Sequence, residues 1–271
     1  LLNGLITDVP KNRPKPRVLG MSATPIINNL QEGKSLVELV SSKTQDDIGT
    51  KATVPNCMKL YQKFTTMSFR MMPKHQQSRV PTIHPIDATP YLEDLFGLGY
   101  RPHPQQVEAI LVKARWSIIK QHLRPKTVVF TEYVKDIVPY LVERIKQTTY
   151  FSVGIYTGND KDATEAGFTD SLEQFIHGTV EILVASIGCL GTGIDGLQFI
   201  SNNIIFATLP WTSTDYEQAI GRFDREGFVF DSLDIHVPKT YALLSNGQEW
   251  SWCQSKLNRL QNKRDIAKAA V

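Results

Sequence analysis

Residues 209–227 read LPWTSTDYEQAIGRFDREG. The stretch opens as the end of an apolar strand closed by Pro210, crosses a polar turn, and continues as a short helix carrying Gln218, Arg222 and Arg225. Thr214 and Glu217 have the T-x-x-E spacing of a capping box, which places the start of that helix. Spacings of four and three residues put Gln218, Arg222 and Arg225 on one side of it, while Ala219, Ile220, Gly221 and Phe223 press the rest against a sheet. Two guanidiniums on one face call for an anion. A polyphosphate suits them, because arginine presents a rigid donor fork and keeps its charge at any physiological pH. The competing reading is a pair of salt bridges to Asp215, Asp224 or Glu226 on a solvated helix.

Upstream of this stretch the chain alternates. Residues 126–131, 151–158, 180–186 and 203–210 are short apolar runs rich in β-branched residues and read as strands. Between the first two, Asp136 can cap a helix whose first turn tolerates Pro139. Between the next two, Asp170 with Glu173 starts a helix that ends at His177-Gly178. Strands alternating with helices, each strand nearly all apolar, predict an α/β fold: a parallel sheet covered by helices on both faces. Right-handed crossovers then bring the intervening loops to the carboxyl edge of the sheet, where such sheets hold ligands. One of these loops, residues 187–195, reads IGCLGTGID and is followed by Gly196. Its glycines at 188, 191, 193 and 196 permit close backbone approach to a phosphate or a sugar and tolerate positive φ.

Three segments together resemble a known family. Q-A-x-G-R-x-x-R at 218–225 looks like the last motif of superfamily 2 helicases and translocases, G-T-G-I-D at 191–195 resembles their fifth motif, and S-A-T-P at 22–25 resembles the motif coupling their nucleotide and nucleic-acid sites. The resemblance implies a RecA-like second motor domain preceded by the end of a first one. It also implies roles. Arg222 and Arg225 would be arginine fingers, with Gln218 placing the attacking water or reading the nucleotide. Gly193 and Asp195 would contact the nucleotide, Asp195 accepting from the ribose. Thr131, Ser186 and Thr192 would face the nucleic-acid backbone, and Ser22, Ala23 and Thr24 would couple the sites. ATP and Mg2+ would be held mainly by an N-terminal RecA-like domain of the same protein. The track would be double-stranded DNA. The segment T-P-I-I-N-N-L-Q-E at 24–32 is similar to Swi/Snf-type remodellers. Gly221, Asp195 and Gly227 depart from the remodeller pattern toward general helicases, so an RNA helicase stays open as an alternative. A non-catalytic nucleic-acid- or protein-binding module with a motor-like fold is the other.

The rest of the chain divides accordingly. Residues 1–45 are expected to end a first RecA-like domain, with a helix at 30–40 turning Leu36, Val37, Leu39 and Val40 inward. Gly33-Lys34-Ser35 imitates the tail of a phosphate-binding loop, but the glycine required five residues earlier is Asn28, so it is rejected as a nucleotide site. Residues 46–104 read as a connector with a small helical element, broken by Pro73, Pro81, Pro85 and Pro90, with Met67, Met71 and Met72 filling a core gap. Residues 105–271 form the second domain, entered by a helix over 103–123. Its last strand, from residue 234, contains Pro238 and is expected at an edge or bulge. The closing helix over 248–270 carries Trp252, Leu257, Leu260 and Ile266; Asn246, Gly247, Gln248 and Glu249 with Lys263 loosely resemble the brace that ends remodeller motors.

With 271 residues, 41% hydrophobic and 21% charged, the composition is that of a soluble globular protein. A net charge of +3 permits nucleic-acid binding in a local groove without a charged coat. The three cysteines are scattered and the six histidines show no ligand spacing, so neither a disulfide framework nor a metal site is expected. No apolar run approaches ~20 residues, which predicts an intracellular chain, in cytoplasm or nucleus, without a membrane partner. With no complete phosphate-binding loop and no D-E-x-[HD] metal motif in these residues, the chain alone is expected to hydrolyse no ATP.

Overall fold

A computed structural model describes residues 18–20, 29–69, 80–158, 171–190 and 194–270. Ser22, Ala23, Thr24, Thr192 and Gly193 lie outside these. The chain forms two compact units, one comprising Leu1–Met72, Thr212–Thr214 and Arg259–Val271, the other Pro73–Trp211 and Asp215–Asn258.

The first unit contains helices α1 (Leu30–Ser41) and α2 (Val54–Met67). The Asn29 side chain accepts from the Glu32 amide at 3.3 Å and caps α1. Leu30, Val37, Ile48, Cys57, Leu60 and Phe64 form the shared core. Gly33-Lys34-Ser35 sits within α1, where the helix ladder takes its amides. Met67, expected in a core, is exposed at the end of α2. Met71 and Met72 lie outside the described residues.

The second unit is the expected parallel α/β sheet. Its strands are β1 (Thr82–Asp87), β2 (Thr127–Thr131), β3 (Val153–Tyr156), β4 (Ile182–Ser186), β5 (Asn203–Phe206) and β6 (Asp234–Leu243), in spatial order β1-β6-β5-β2-β4-β3, all parallel. A two-residue β7 (Glu249–Trp250) adds antiparallel to the end of β6. Side-chain alternation splits the core into two layers. Val129, Ile182, Val184 and Ile205 face one layer with α4 (Pro104–His122) and α5 (Ile137–Thr148), the six-residue α3 (Leu92–Gly97) preceding them. Val128, Phe130, Leu183, Ala185, Ile204 and Phe206 face the other, with α6 (Ser171–His177) and α8 (Ser213–Ile220). A short α7 (Ile187–Leu190) follows β4, and α9 (Trp252–Ala270) closes the chain. His103 and Gln106 form a reciprocal capping box at the start of α4. Gly178, at φ +96°, ends α6 as expected.

Three local expectations are corrected. Strand β1 falls inside the stretch read as connector; Pro81 and Pro85 read as breakers, yet β1 is an edge strand, where a missing amide is tolerated. Pro238 lies in β6, whose neighbours are β1 and β5, so the strand is not at an edge. The ladder with β5 stops at His236, however, and β7 joins only at Ala242, so Pro238 occupies the gap between them. Asp136 precedes α5 in the left-handed region, but its carboxylate makes no cap bond and instead accepts from Gln105 Nε2 at 3.4 Å.

Candidate functional site at the carboxyl edge of the sheet

The parallel strands end on one edge, and the loop after β4 is fastened there. Gly196, at φ +99°, turns the chain into a 3-10 segment at Leu197–Phe199, a conformation glycine adopts at no steric cost. Gln198 locks that turn from both sides: it accepts from the Gly196 amide at 3.0 Å and donates through Nε2 to Asp195 Oδ1 at 3.0 Å. Gly188, one of the glycines expected to permit close backbone approach and positive φ, lies in the helix α7. The Asp195 side chain is 77% exposed. Hydrogen bonds from Gln198 and the Gly196 amide, and then the charge of Arg225, hold its carboxyl below the ordinary aspartate range.

Both arginines reach this loop. Arg222 Nη1 donates to the Ile194 carbonyl at 3.2 Å, and Arg225 Nη1 donates to the same oxygen at 3.3 Å and to Asp195 Oδ1 at 3.3 Å. Arg225 Nε is held by the Gly221 carbonyl at 2.9 Å, which fixes the plane of its fork. Burial, and then the like charge of Arg225, push the Arg222 guanidinium down from its ordinary value. The helix that was expected to carry both arginines ends before them, at Ile220. The chain then tightens into turns, with the Phe223 amide on the Ile220 carbonyl at 2.9 Å. Gly221 sits at that transition, where a Cβ would lie 3.0 Å from the Glu217 carbonyl. Thr214 lies in the first turn of α8, one residue inside its start, and not at the cap. Gln218 stands exposed on α8.

The structure thus gathers Arg222, Arg225 and Asp195 within one loop's reach. Ser186 is 6% exposed at the end of β4 on the same edge. Thr131 is fully buried, and its hydroxyl donates to the Tyr133 carbonyl at 2.9 Å and lies 3.3 Å from that of Thr208. It organises the turn after β2 and presents no hydroxyl to a strand. Thr208, just past β5, accepts from the Glu132 amide at 2.6 Å and ties the two strand ends together.

Beneath this edge lies a cluster that the sequence did not disclose. Glu108 and Arg115 on α4 and Lys256 on α9 are each 1% exposed. Glu108 accepts from Arg115 at 2.6 Å, from Lys256 at 2.6 Å and from Trp252 Nε1 at 3.0 Å. The two cations reach on to backbone carbonyls of the loop after β5: Arg115 to Ala207 at 2.7 Å and Lys256 to Leu209 at 2.6 Å. Lys256 also lies over the Trp211 ring, 4.5 Å from its centroid. Burial alone would raise the Glu108 carboxyl, but the two cations more than offset it and hold it below the ordinary glutamate range. The loop that leads to Arg222 and Arg225 is therefore pinned from below by buried charge. The i, i+7 spacing of Glu108 and Arg115 on an otherwise apolar helical stripe was the available signal.

The Mg2+ ion used by nucleotide-hydrolysing motors does not fit this loop. Asp195 is engaged by Gln198 and faces two guanidiniums, so a metal there would meet like charge.

Residues 107–227 match the family model described as "Helicase conserved C-terminal domain". No curated protein matches the chain. Among solved structures, it is similar to a DEAD box protein from the hyperthermophile Methanococcus jannaschii, with 18% identity, a TM-score of 0.41, and coverage of 58% of this chain and 37% of that one. It is also similar to the C-terminal part of the Fun30 ATPase domain, with 14% identity, a TM-score of 0.38, and coverage of 80% and 60%. The chain therefore spans less than two thirds of either. No described helix is long and apolar enough to cross a membrane. Residues 107–227, under half of the chain, are thus similar to the helicase conserved C-terminal domain, and the parallel sheet they help to build has the α/β fold of that RecA-like domain.

Proposed function

We propose that this domain is the second motor domain of an ATP-dependent superfamily 2 DNA helicase or translocase, and that Arg222 and Arg225 are its arginine fingers. The observation that carries this reading is the convergence of both guanidiniums on the Ile194 carbonyl beside Asp195, at the carboxyl edge of the sheet. The Arg225–Asp195 pair does not argue against it. With 34% and 77% of the two side chains exposed, an ion pair of this kind is worth ~0.2–1 kcal/mol. A triphosphate offers more charge and more acceptors, so Arg225 exchanges one partner for another at little cost. Charge developing on the transferred phosphoryl group is what the two forks neutralise, and such fingers contribute ~10³–10⁵ in turnover in related sites. Asp195, released from Arg225 but still held by Gln198, is positioned to accept from a ribose hydroxyl. ATP and Mg2+ are held mainly by a first RecA-like domain of the same protein, with Ser22, Ala23 and Thr24 coupling the two. Gly193 supports the nucleotide, and Ser186 and Thr192 follow the nucleic-acid backbone without reading its sequence. Gln218, exposed on α8, places the attacking water. The T-P-I-I-N-N-L-Q-E segment favours Swi/Snf-like translocation on double-stranded DNA in the cell interior.

In the full-length protein, Arg225→Ala is expected to lower nucleic-acid-stimulated ATP hydrolysis by about 10³-fold while leaving nucleic-acid affinity within a few-fold. Turnover retained at more than a tenth of the parent rate sinks the finger assignment. A variant with lost turnover and lost nucleic-acid binding together points instead to a structural role for Arg225.

A further inference from the structure

At the opposite, amino-terminal edge of the same sheet, three histidines from three elements meet. His236 is the third residue of β6, His84 lies in β1 and His122 ends α4. His84 Nε2 and His236 Nδ1 are 3.0 Å apart, and the His122 ring stacks on His236 with centroids 3.9 Å apart and planes 21° off parallel. One ligand nitrogen from each ring lies within 4.8 Å of the other two, and all three residues are half-buried, so the group is open to solvent. We propose that His84, His122 and His236 form a three-histidine site for a first-row divalent cation, Zn2+ foremost, with water in the fourth position.

The chemistry of the gap supports the assignment. Two imidazole nitrogens 3.0 Å apart hold one proton between them, and a cation is the alternative occupant of the same gap. Tetrahedral Zn2+ with Zn–N bonds near 2.0–2.1 Å requires nitrogens about 3.3 Å apart. The three nitrogens lie within 4.8 Å of one another and so exceed that spacing by at most about 1.5 Å, a distance that rotation about the broad terminal torsion of histidine covers. Neutral imidazole selects Zn2+, Cu2+ or Ni2+ over Mg2+ and Ca2+. The charged groups facing the cluster are Arg124 and Asp234, and they neutralise each other through a 2.7 Å ion pair. Asp234 shares a strand face with His236 two residues on, so its carboxylate stands where an outer carboxylate partner would orient a ligating ring. The bound ion would clamp the edge strand β1 to α4 and β6. This site is independent of the arginine loop and of the motor reading.

Titration of the metal-free chain with Co2+ tests it. The expected result is one Co2+ per chain, with the intense visible absorption of a tetrahedral ion, displaced by Zn2+. His122→Gln and His236→Gln are each expected to weaken binding at least tenfold, and His177→Gln to leave it unchanged. Zn2+ should also slow backbone hydrogen exchange in residues 82–87, a change lost in His122→Gln. His122 ends a helix, so His122→Gln keeps the test open should His236→Gln fail to fold. Absence of one-to-one binding, binding that survives His122→Gln, or equal loss in His177→Gln overturns the site.

Discussion

Glu108 shows what a single side chain does here. Its carboxylate bonds both Arg115 and Lys256 in the cluster below the β5 loop, at 2.6 Å each. Breaking a buried ion pair by removing one partner leaves uncompensated charge and costs ~3–5 kcal/mol. Glu108→Gln is expected to destabilise the chain by about that much in urea unfolding, whereas Asp195→Asn, at an exposed pair, should change stability by less than ~1 kcal/mol. The pH dependence separates two groups by sign. The Glu108 carboxyl is lowered on folding, so its contribution is present above the ordinary glutamate pKa of 4.5 and is lost as pH falls below it. In the metal-free protein His236 is lowered from 6.5 to about 4, first by burial and then by His122 and His84. Its neutral form is favoured by folding, so its contribution is complete above pH 6.5 and is lost between there and about 4. For a half-buried ring this amounts to ~1 kcal/mol after solvent screening. Unfolding free energies at pH 7.5 and 5.0 for the parent and His236→Gln check it: the variant should lose less on acidification. Neither group stood out in the sequence, since a charged residue on a helix defaults to the solvated face and histidines 38 to 152 residues apart show no spacing.

At the scale of elements, what the sequence disclosed was periodicity, and what it hid was pairing. The runs at β2, β4 and β5 were legible because strands buried on both faces are nearly all apolar. Arg222, Arg225 and Asp195 were legible as a set because family-like spacing marks them, but their place beyond the end of α8 was not, since the tightening after Gly221 leaves no periodic trace. Strand β1 and the position of Pro238 depend on which strand lies beside which, and that is fixed by tertiary contact alone. The two strands make a paired prediction. Pro238 lies where β6 has passed beyond β5 and not yet met β7, so Pro238→Val should shift stability by less than ~1 kcal/mol. Ile204 is paired to Val128 on one side and Ile235 on the other and is fully buried. Ile204→Pro removes a ladder bond in the sheet centre and should cost ~3 kcal/mol or more. Thermal unfolding of both variants decides it; a Pro238→Val loss as large as that of Ile204→Pro would contradict the gap.

For the whole molecule, the proposed motor reading assigns these residues one part of the chemistry and a first RecA-like domain the rest. They contribute cationic forks on the carboxyl edge, braced from below by Glu108, Arg115 and Lys256. They do not contribute a phosphate cradle of the kind that ends in Gly-Lys-Ser, because Gly33-Lys34-Ser35 is the body of α1 and its amides are already bonded. The carboxylate at the arginine loop is engaged by Gln198 and Arg225, so it does not draw in Mg2+. Stabilising developing charge without positioning the nucleotide yields little, since most phosphoryl-transfer catalysis is positioning combined with electrostatics. The 271-residue chain alone is therefore expected to release phosphate from ATP at the buffer rate, with or without duplex DNA. On the proposed reading, hydrolysis should appear only when a first RecA-like domain is supplied in the same polypeptide, and Arg225→Ala should then lower it by about 10³-fold. Steady-state phosphate release from both forms is the measurement. Turnover by the isolated chain that is stimulated by duplex DNA and survives Arg225→Ala would mean that the fuel site is built from other residues, and that these guanidiniums serve only to hold the loop at Ile194.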